Sequence, residues 1–358
     1  MFVNPYLFFQ LKEGQIIVWD YKNHQQYELE EEYFYRLKAL TGNTSLEPIA
    51  IDQELEEGLL LSREPLAQKE WGWDEIARIF HVGTSDIAEE YRHLSEDEWI
   101  EQYLNYCEGI KESLPPLFTH KQGESVALPE PNTQLLQDFT LLEAFTQRKT
   151  CRSFEGRSIS LEGLSTLLFT SLGCIHGKGW AELQENDLAK LGMRKAFPSG
   201  GGLHPEEAYV IALRVEGLES GLYHYCVEDH SLTRIKTGDF EEPLISLLYG
   251  QYFAKGLSCG IFLTARFEKT WWKYPDSRSY RVALLDIGHA SQTVLLAATA
   301  LGLQTWLTAA FSDTGVEEFL GLQETTEAPI LFLGVGYGDN SAIDPKMFAR
   351  VKERKQPS

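Results

Sequence analysis

The sequence predicts an α+β protein in which a small N-terminal domain precedes a larger one. Residues 1–40 alternate three short apolar runs (YLFFQL, QIIVWDY and QQYEL) with turn residues, and then place apolar side chains at helical spacing. From about Thr140, helical patterns alternate with apolar strands. Between these regions, residues 111–135 hold four prolines among polar residues, which is typical of a linker.

The N-terminal domain, residues 1–110, is predicted to resemble a winged helix. Its three strands are joined by turns at 12–14 and 22–24, and helices follow at 30–40 and 53–61. Further helices are predicted over residues 71–81 and 85–110. Three strands followed by helices within a short chain is the order found in such modules.

The larger domain, residues 136–358, is predicted to be an α+β domain in which helices alternate with apolar strands. Ser160 is a candidate N-cap for a helix that ends at Gly173. A long apolar helix is predicted from Ser279 to Leu301, and Gly302 ends it. The predicted strands and hairpin are EEAYVIALRV, GLYHYCVEDHSLTRIK, CGIFLTARF, LQTWLTAAF and APILFLGVGYG, with a helical tail from Asp344.

Charge and cysteine usage exclude several functions. The net charge is -21, and residues 1–130 hold 26 acidic against 10 basic side chains. Such acidity argues against binding of nucleic acid or anionic membranes and is compatible with a basic partner. Five scattered cysteines without a CxxC pair predict neither disulfides nor a metal site, which fits a reducing cytoplasm. No signal peptide or membrane span is predicted.

The stretch WWKYPDSRSYR, residues 271–281, is a candidate proton-transfer site. It places the amine of Lys273 beside the phenol of Tyr274 and next to two tryptophans. Burial against indole rings would lower the pKa of Lys273 and allow a neutral amine to act as a base. The alternative is that Lys273 extends past Trp271 and Trp272 and keeps its ammonium in solvent.

Two further motifs suit an anionic, flat ligand. RKTCRSF, residues 148–154, combines three cations with two hydroxyls, which suits an anion, although a solvated basic surface is the alternative. PSGGGLHP, residues 198–205, holds a glycine triplet whose backbone could approach a flat ring, although a plain flexible loop is the alternative. Neither motif is a Walker or dinucleotide-binding sequence.

Taken in this order, the motifs resemble those of the nitroreductase-fold flavoproteins, and among them the SagB-type azoline dehydrogenases of ribosomal peptide modification. RKTCRSF is similar to the family's Arg-x-Ser/Thr-x-Arg-x-Phe start, and PSGGGLHP to its glycine loop. DIGHASQTVLLAATALGLQTW resembles its central helix, and WWKYPDSRSYR matches the Lys-Tyr signature of the peptide azoline oxidases. The resemblance implies an FMN-binding fold with a central, mostly antiparallel sheet wrapped by helices.

The resemblance also implies roles for individual residues. Lys273 would be the catalytic base and Tyr274 its hydrogen-bond partner or proton donor. Arg278 and Arg281 would fix the start of the long helix or bind substrate carbonyls, and Lys346 and Arg350 are candidates for a closing phosphate cation. The implied FMN-binding residues are Arg148, Lys149, Thr150, Arg152, Pro198, Ser199, Gly200, Gly201, Ala309 and Ala310.

The implied reaction is the oxidation of peptide thiazolines or oxazolines to azoles, with FMN as hydride acceptor and dioxygen as its oxidant. The implied partners are a heterocyclised precursor peptide, a cyclodehydratase or synthetase complex, and a second copy in a homodimer. Two alternatives are an NAD(P)H-dependent nitro- or ene-reductase and a non-catalytic peptide-docking protein of the same fold.

Overall fold

The computed structural model describes residues 1–67, 70–86, 94–178, 192–322 and 326–354. The chain forms two compact units, Met1–Ser95 and Glu96–Ser358. The helix at Glu96–Ile110, which the sequence placed at the end of the N-terminal domain, therefore groups with the larger unit. Residues 87–93 of the helix predicted over 85–110 lie outside the described residues.

The N-terminal unit contains the three-stranded antiparallel sheet that the sequence predicts, with its strands adjacent in chain order. Val18 and Leu37 lie in its apolar core with Leu55. The second helix ends at Glu57, before the predicted Leu61, because Leu61 pairs with Val3 in a short sheet. Its likeness to a winged helix stays a prediction. The described elements are β1 Phe2–Val3, β2 Leu7–Lys12, β3 Gln15–Asp20, β4 Gln25–Leu29, α1 Glu31–Gly42, α2 Ile51–Glu57, β5 Leu61–Ser62 and α3 Glu75–Gly83.

The larger unit has the α+β composition that the sequence predicts. Its helix after Ser160 is capped by that side chain and ends at Gly173, as the pattern indicated. The described elements are α4 Glu96–Ile110, β6 Ser125–Ala127, α5 Leu141–Gln147, β7 Ile159–Ser160, α6 Leu161–Leu172, β8 Glu206–Ala212, β9 Val215–Glu216, β10 Gly221–Cys226, β11 Ser231–Thr237, α7 Glu241–Leu247, β12 Cys259–Arg266, α8 Phe267–Lys273, α9 Ser279–Ala300, β13 Gln304–Thr308, α10 Asp313–Leu320, β14 Glu327–Gly336 and α11 Pro345–Arg354.

A seven-stranded sheet organises this unit in the order β13-β14-β12-β8-β10-β11-β6. Every neighbouring pair of these strands is antiparallel. Successive residues of β8 face opposite sides, so Val210 packs in the core with α6 and α9, whereas Tyr209 packs in the core with α7 and α10. The predicted antiparallel sheet wrapped by helices is therefore confirmed.

The long helix α9 was predicted almost to the residue. Gly302, at a φ of 74°, follows its last turn, where a left-handed backbone favours glycine. Ala283, Ile287 and Ala290 are buried against the sheet. By length and composition this helix could also cross a membrane, but 50% of its apolar window is buried inside the domain, as in a core helix.

The segment predicted as a linker, residues 111–135, contributes to the sheet. Its strand β6 pairs with β11, with Val126 opposite Leu232. The prolines stand on either side of the strand, so its backbone N–H groups remain available for pairing. The segment therefore supplies the strand at one edge of the sheet, and it also connects other elements.

Candidate active site

The glycine loop and the Lys-Tyr pair, which lie about 70 residues apart in sequence, meet in the structure. Gly201 has a φ of 63°, a left-handed conformation that side chains disfavour. A Cβ at this position would lie 2.6 Å from the Tyr274 hydroxyl and 3.2 Å from the Lys273 Nζ. The Lys273 ammonium is 3.5 Å from the carbonyl oxygen of Gly201, to which it donates. The absence of a side chain at Gly201 thus makes room for both functional groups.

Lys273 is buried, with 1% of its surface exposed. It ends α8, and its own carbonyl accepts a hydrogen bond from the Tyr106 hydroxyl at 2.8 Å. Burial lowers the pKa of the Lys273 ammonium, while nearby Cys107 opposes that shift. Burial also raises the pKa of the Tyr274 phenol. The pair therefore combines an amine that is easier to deprotonate with a phenol that keeps its proton.

The rings around Lys273 differ from those that the sequence predicted. The Lys273 Nζ lies over the Tyr103 ring at 5.6 Å and over the Tyr274 ring at 5.9 Å. Trp271 is 47% exposed, and the Trp272 indole N–H donates to the carbonyl of Ile110 and to a serine hydroxyl. The prediction that the two tryptophans wall the amine is wrong, because residues adjacent to Lys273 in α8 point away from its face.

Asp286 of α9 holds the glycine loop in place. Its carboxylate accepts hydrogen bonds from the Ser199 hydroxyl at 2.6 Å and from the Gly200 N–H at 3.1 Å. Burial raises the pKa of Asp286, and the two donors oppose that shift. His289, one turn later, lies 3.2 Å from the carbonyl of Pro198. The long helix therefore positions the loop that faces Lys273.

A network of buried charges continues behind the loop. Lys195 and Glu206 form an ion pair at 2.7 Å, and the His204 ring lies 3.5 Å from the same carboxylate. Burial alone would raise the pKa of Glu206, but these two neighbours lower it well below its ordinary value. Lys269, one helical turn before Lys273, donates to the carbonyls of Leu117 and His204. Burial lowers the pKa of Lys269 to about 8.

A cavity of about 430 Å³ opens beside the glycine loop. This volume is within the range of small-molecule sites. Its walls combine apolar surface with the cationic side chains of Arg194 and Lys195, which suits a ligand with polar groups. The other lining residues include His176, Phe197, Pro198, Ser199, Gly202 and His204.

The basic segment at residues 148–154 is attached to a different part of the unit. Thr150 bridges to Thr305 of β13, and the N–H of Arg152 donates to the carbonyl of Ser341 at 2.8 Å. The Arg152 guanidinium donates to the carbonyl of Ala342. The hydrogen bonds of the described residues therefore tie this segment to β13 and to the irregular segment between β14 and α11, rather than to the glycine loop.

Each of the two motifs has a feature that suits one part of the implied FMN. Among the described residues, no carboxylate forms an ion pair with Arg148, Lys149 or Arg152, although the protein is strongly acidic. Cations without a carboxylate partner suit a phosphate. A Cβ at Gly200 would lie 2.4 Å from Val282, so only glycine allows the loop this close to α9.

The remaining predicted residues are exposed, apart from Arg281, which is partly buried. Ala309 and Ala310 follow β13 and are exposed, and the Ala310 carbonyl accepts a hydrogen bond from Gln251. Lys346 and Arg350 are exposed on α11, four residues apart, just after the segment that binds Arg152. Arg278 and Arg281 stand at the start of α9.

Sequence reasoning missed Asp286, Tyr103 and Lys269. Asp286 had a detectable signal, because it is a lone carboxylate among small and apolar residues of a core helix. Lys269 also had one, since it lies four residues before Lys273 on the same helical face. Tyr103 had none, because nothing in the sequence relates α4 to α8.

Comparisons with known proteins place this part of the chain in a family. The nitroreductase family model matches residues 145–337, which include the basic segment, the glycine loop and the Lys-Tyr pair. The chain is 29% identical over 214 residues to "Putative nitroreductase MJ1384" of Methanocaldococcus jannaschii, which covers 60% of this chain and 98% of that protein.

Two other relatives have names that refer to peptide processing. The trifolitoxin-processing protein TfxB of Rhizobium leguminosarum bv. trifolii is 35% identical over 140 residues, which is 38% of each chain. The microcin B17-processing protein McbC of Escherichia coli is 30% identical over 144 residues, 39% of this chain and 53% of that protein. The chain thus spans about half or less of the length of these two relatives.

Proposed function

This chain belongs to the nitroreductase family, and from that premise we propose that it oxidises azoline rings of a modified peptide, with FMN as the electron acceptor. The family makes it an oxidoreductase by class and bears out the predicted fold. The names of TfxB and McbC support a peptide substrate, and both relatives are consistent with the SagB-type subgroup. The alignments cover only part of each relative, so the peptide and its ring chemistry belong to the proposal.

The buried Lys273 beside Gly201 is the observation that carries this proposal. An azoline must lose its α-carbon proton, which the adjacent C=N and carbonyl acidify, and a neutral amine in an apolar setting can take it. Lys273 is buried, its pKa is lowered, and its Nζ faces the glycine loop. An enzyme that only passed electrons from a nicotinamide to a substrate would not need a base there.

Tyr274 is proposed to orient the amine and the substrate ring. Its hydroxyl and the Lys273 Nζ both lie against the position where Gly201 lacks a side chain. The raised pKa of Tyr274 keeps its phenol protonated, so it can donate a hydrogen bond while Lys273 accepts the proton. Acid and base roles are thereby separated between neighbouring residues.

FMN is proposed to bind between the basic segment and the glycine loop. When bound, it would supply the two-electron acceptor that takes the second hydrogen as hydride. Arg148, Lys149, Thr150 and Arg152 would hold its phosphate end. The backbone of residues 198–201 would approach the ring, with its position maintained by Asp286.

We also propose that the active form is a homodimer that works with a synthetase which forms the azoline rings. Leu141, Leu142 and Phe145 of α5 and Leu285 of α9 are apolar and more than half exposed, which suits an interface. Light scattering of the purified protein should give twice the monomer mass. A monomer that binds FMN fully would contradict the dimer.

The deciding experiment uses the FMN-loaded protein and a heterocyclised peptide under air. We expect the peptide to lose the mass of two hydrogen atoms for each ring oxidised. Lys273→Ala should retain bound FMN and lose turnover by about 10²–10⁴-fold or more, since it removes the base. Full turnover in Lys273→Ala would contradict the base assignment.

Addition of a nicotinamide cofactor distinguishes the proposed oxidase from the main alternative, a nitro- or ene-reductase. A nitro- or ene-reductase would bleach the flavin rapidly on addition of NADH or NADPH under nitrogen, whereas the proposed oxidase should keep its yellow colour. Rapid bleaching together with an unchanged peptide would overturn the azoline function. Failure to take up FMN at all would favour a docking protein of the same fold.

A further inference from the structure

Three potential metal ligands meet at one end of the β10–β11 hairpin. Cys226 ends β10, Asp229 lies in the following turn, and His120 comes from the segment between α4 and β6. The Cys226 Sγ is 3.6 Å from the His120 Nδ1 and 3.6 Å from the Asp229 Oδ2. The third separation, from His120 Nδ1 to Asp229 Oδ2, is 3.8 Å.

These separations match the edges of a tetrahedral zinc site. A Zn–S bond of about 2.3 Å and Zn–N or Zn–O bonds of about 2.0–2.1 Å place neighbouring ligand atoms about 3.3–3.6 Å apart. The three ligand atoms already stand close to that spacing, so a bound ion would need shifts of only a few tenths of an ångström. A thiolate, an imidazole and a carboxylate together favour zinc over magnesium or calcium, which prefer oxygen ligands.

The surroundings orient His120 as a ligand. Its Nε2 is 2.9 Å from the Glu228 Oε2, so a proton on Nε2 is donated to that carboxylate. The Nδ1 lone pair is then directed at Cys226 and Asp229. A carboxylate bonded to the outer nitrogen of a histidine is the usual partner of a zinc-ligating imidazole. Glu228 also lies 3.9 Å from the Lys178 ammonium, which holds it on this outer side.

Cys226 itself is buried, whereas the other two ligand residues are exposed. Side chains of His120 and Asp229 are 57% and 61% exposed, which gives an ion a route of entry.

We propose that His120, Cys226 and Asp229 bind one zinc ion, with water in the fourth position. The ion would fasten the segment around His120 to the hairpin. That segment is already joined to the sheet through Thr119, which donates to Glu207, and through Lys121, which pairs with Glu327. The motif escapes a sequence search because more than 100 residues separate His120 from Cys226.

The test measures zinc in the full-length protein after removal of metal with a chelator and addition of zinc chloride. We expect one zinc per chain, and X-ray absorption at the zinc edge should show one sulfur among the nearest atoms. Cys226→Ser should remove that sulfur signal, and His120→Ala should weaken binding by at least tenfold in a chelator competition. Glu228→Gln should weaken it about 10–100-fold while the sulfur signal remains.

Cys174→Ser is the matched control, since Cys174 lies near Met193 and outside the cluster. It should bind zinc as the wild type does. Zinc should also raise the melting temperature of the wild type and of this control, and not of Cys226→Ser. Equal zinc affinity in the wild type, Cys226→Ser and His120→Ala, or a zinc environment without sulfur, would overturn the proposal. None of these readouts depends on FMN or on peptide turnover.

Discussion

The carboxylate of Asp286 accepts a hydrogen bond from the Ser199 hydroxyl at 2.6 Å. The same Ser199 oxygen accepts the N–H of His204 at 2.9 Å, so the serine links the long helix α9 to both ends of the glycine loop. Because Asp286 is buried, its bonds are shielded from water. The position of the loop against Lys273 therefore depends on one carboxylate in a largely apolar helix.

Asp286→Asn is expected to loosen the glycine loop. The amide presents its own N–H groups, so the Ser199 hydroxyl or the Gly200 N–H loses an acceptor, which costs about 1–3 kcal/mol. The variant should have a lower melting temperature and a faster release of FMN, measured by flavin fluorescence. Asp97→Asn, at the exposed start of α4, is the control and should change neither. An Asp286→Asn variant that matches the wild type in both would contradict the anchoring role.

The pH dependence of turnover tests Lys273 as the base. Burial lowers the pKa of Lys273, so the neutral amine becomes populated below the range of an ordinary lysine, which titrates at about 10.4. We expect kcat/KM to rise with pH through this lowered pKa and then level off. Lys273→Arg should be inactive at every pH, because a guanidinium stays protonated. A profile without an acid limb would exclude a titrating base.

Substitutions at Tyr103 and Trp271 test which aromatic ring shields the Lys273 amine from water. Tyr103→Ala should admit water to the amine and raise the kinetic pKa, because burial is the main cause of its lowering. Tyr103→Phe keeps the ring and should shift the kinetic pKa much less. Trp271→Ala, at an exposed position, should leave it unchanged. A larger change in the kinetic pKa from Trp271→Ala than from Tyr103→Ala would show that the tryptophan shields the amine, as the sequence predicted.

Local patterns predicted the parts of the site, and tertiary contacts determined how these parts meet. The spacing of apolar residues predicted α9. The glycine triplet marked the loop, and a lysine next to a tyrosine marked the Lys-Tyr pair. Tyr103 was not predictable, because it reaches Lys273 from a helix about 170 residues earlier. The strand at Ser125–Ala127 was hidden for a similar reason, since its three residues gain their conformation only by pairing with β11.

Lys269 should make stability depend on pH. Its folded pKa is lowered to about 8 from 10.5, so the unfolded chain binds more protons between those values. This contribution to stability is therefore fully present above about 10.5 and is lost as the pH falls through about 8. Lys269→Met removes the titration, so the wild type should gain in unfolding free energy relative to this variant as the pH rises from 8 towards 10.5. Denaturant melts at several pH values measure that difference. A difference independent of pH would contradict a titrating buried amine.

Gly201→Ala tests whether the gap at the glycine loop is required for the Lys-Tyr pair. The new Cβ would meet the Tyr274 hydroxyl at 2.6 Å, and the residue would also keep a φ of 63° that alanine disfavours. We expect a loss of turnover of at least tenfold and a fall in stability of about 1 kcal/mol or more. Gly109→Ala, in α4 with open space around its Cβ position, is the matched control and should leave turnover unchanged and stability equal or higher. Because alanine adds the same methyl group at both positions, full turnover in Gly201→Ala would show that Lys273 and Tyr274 do not act against the glycine loop.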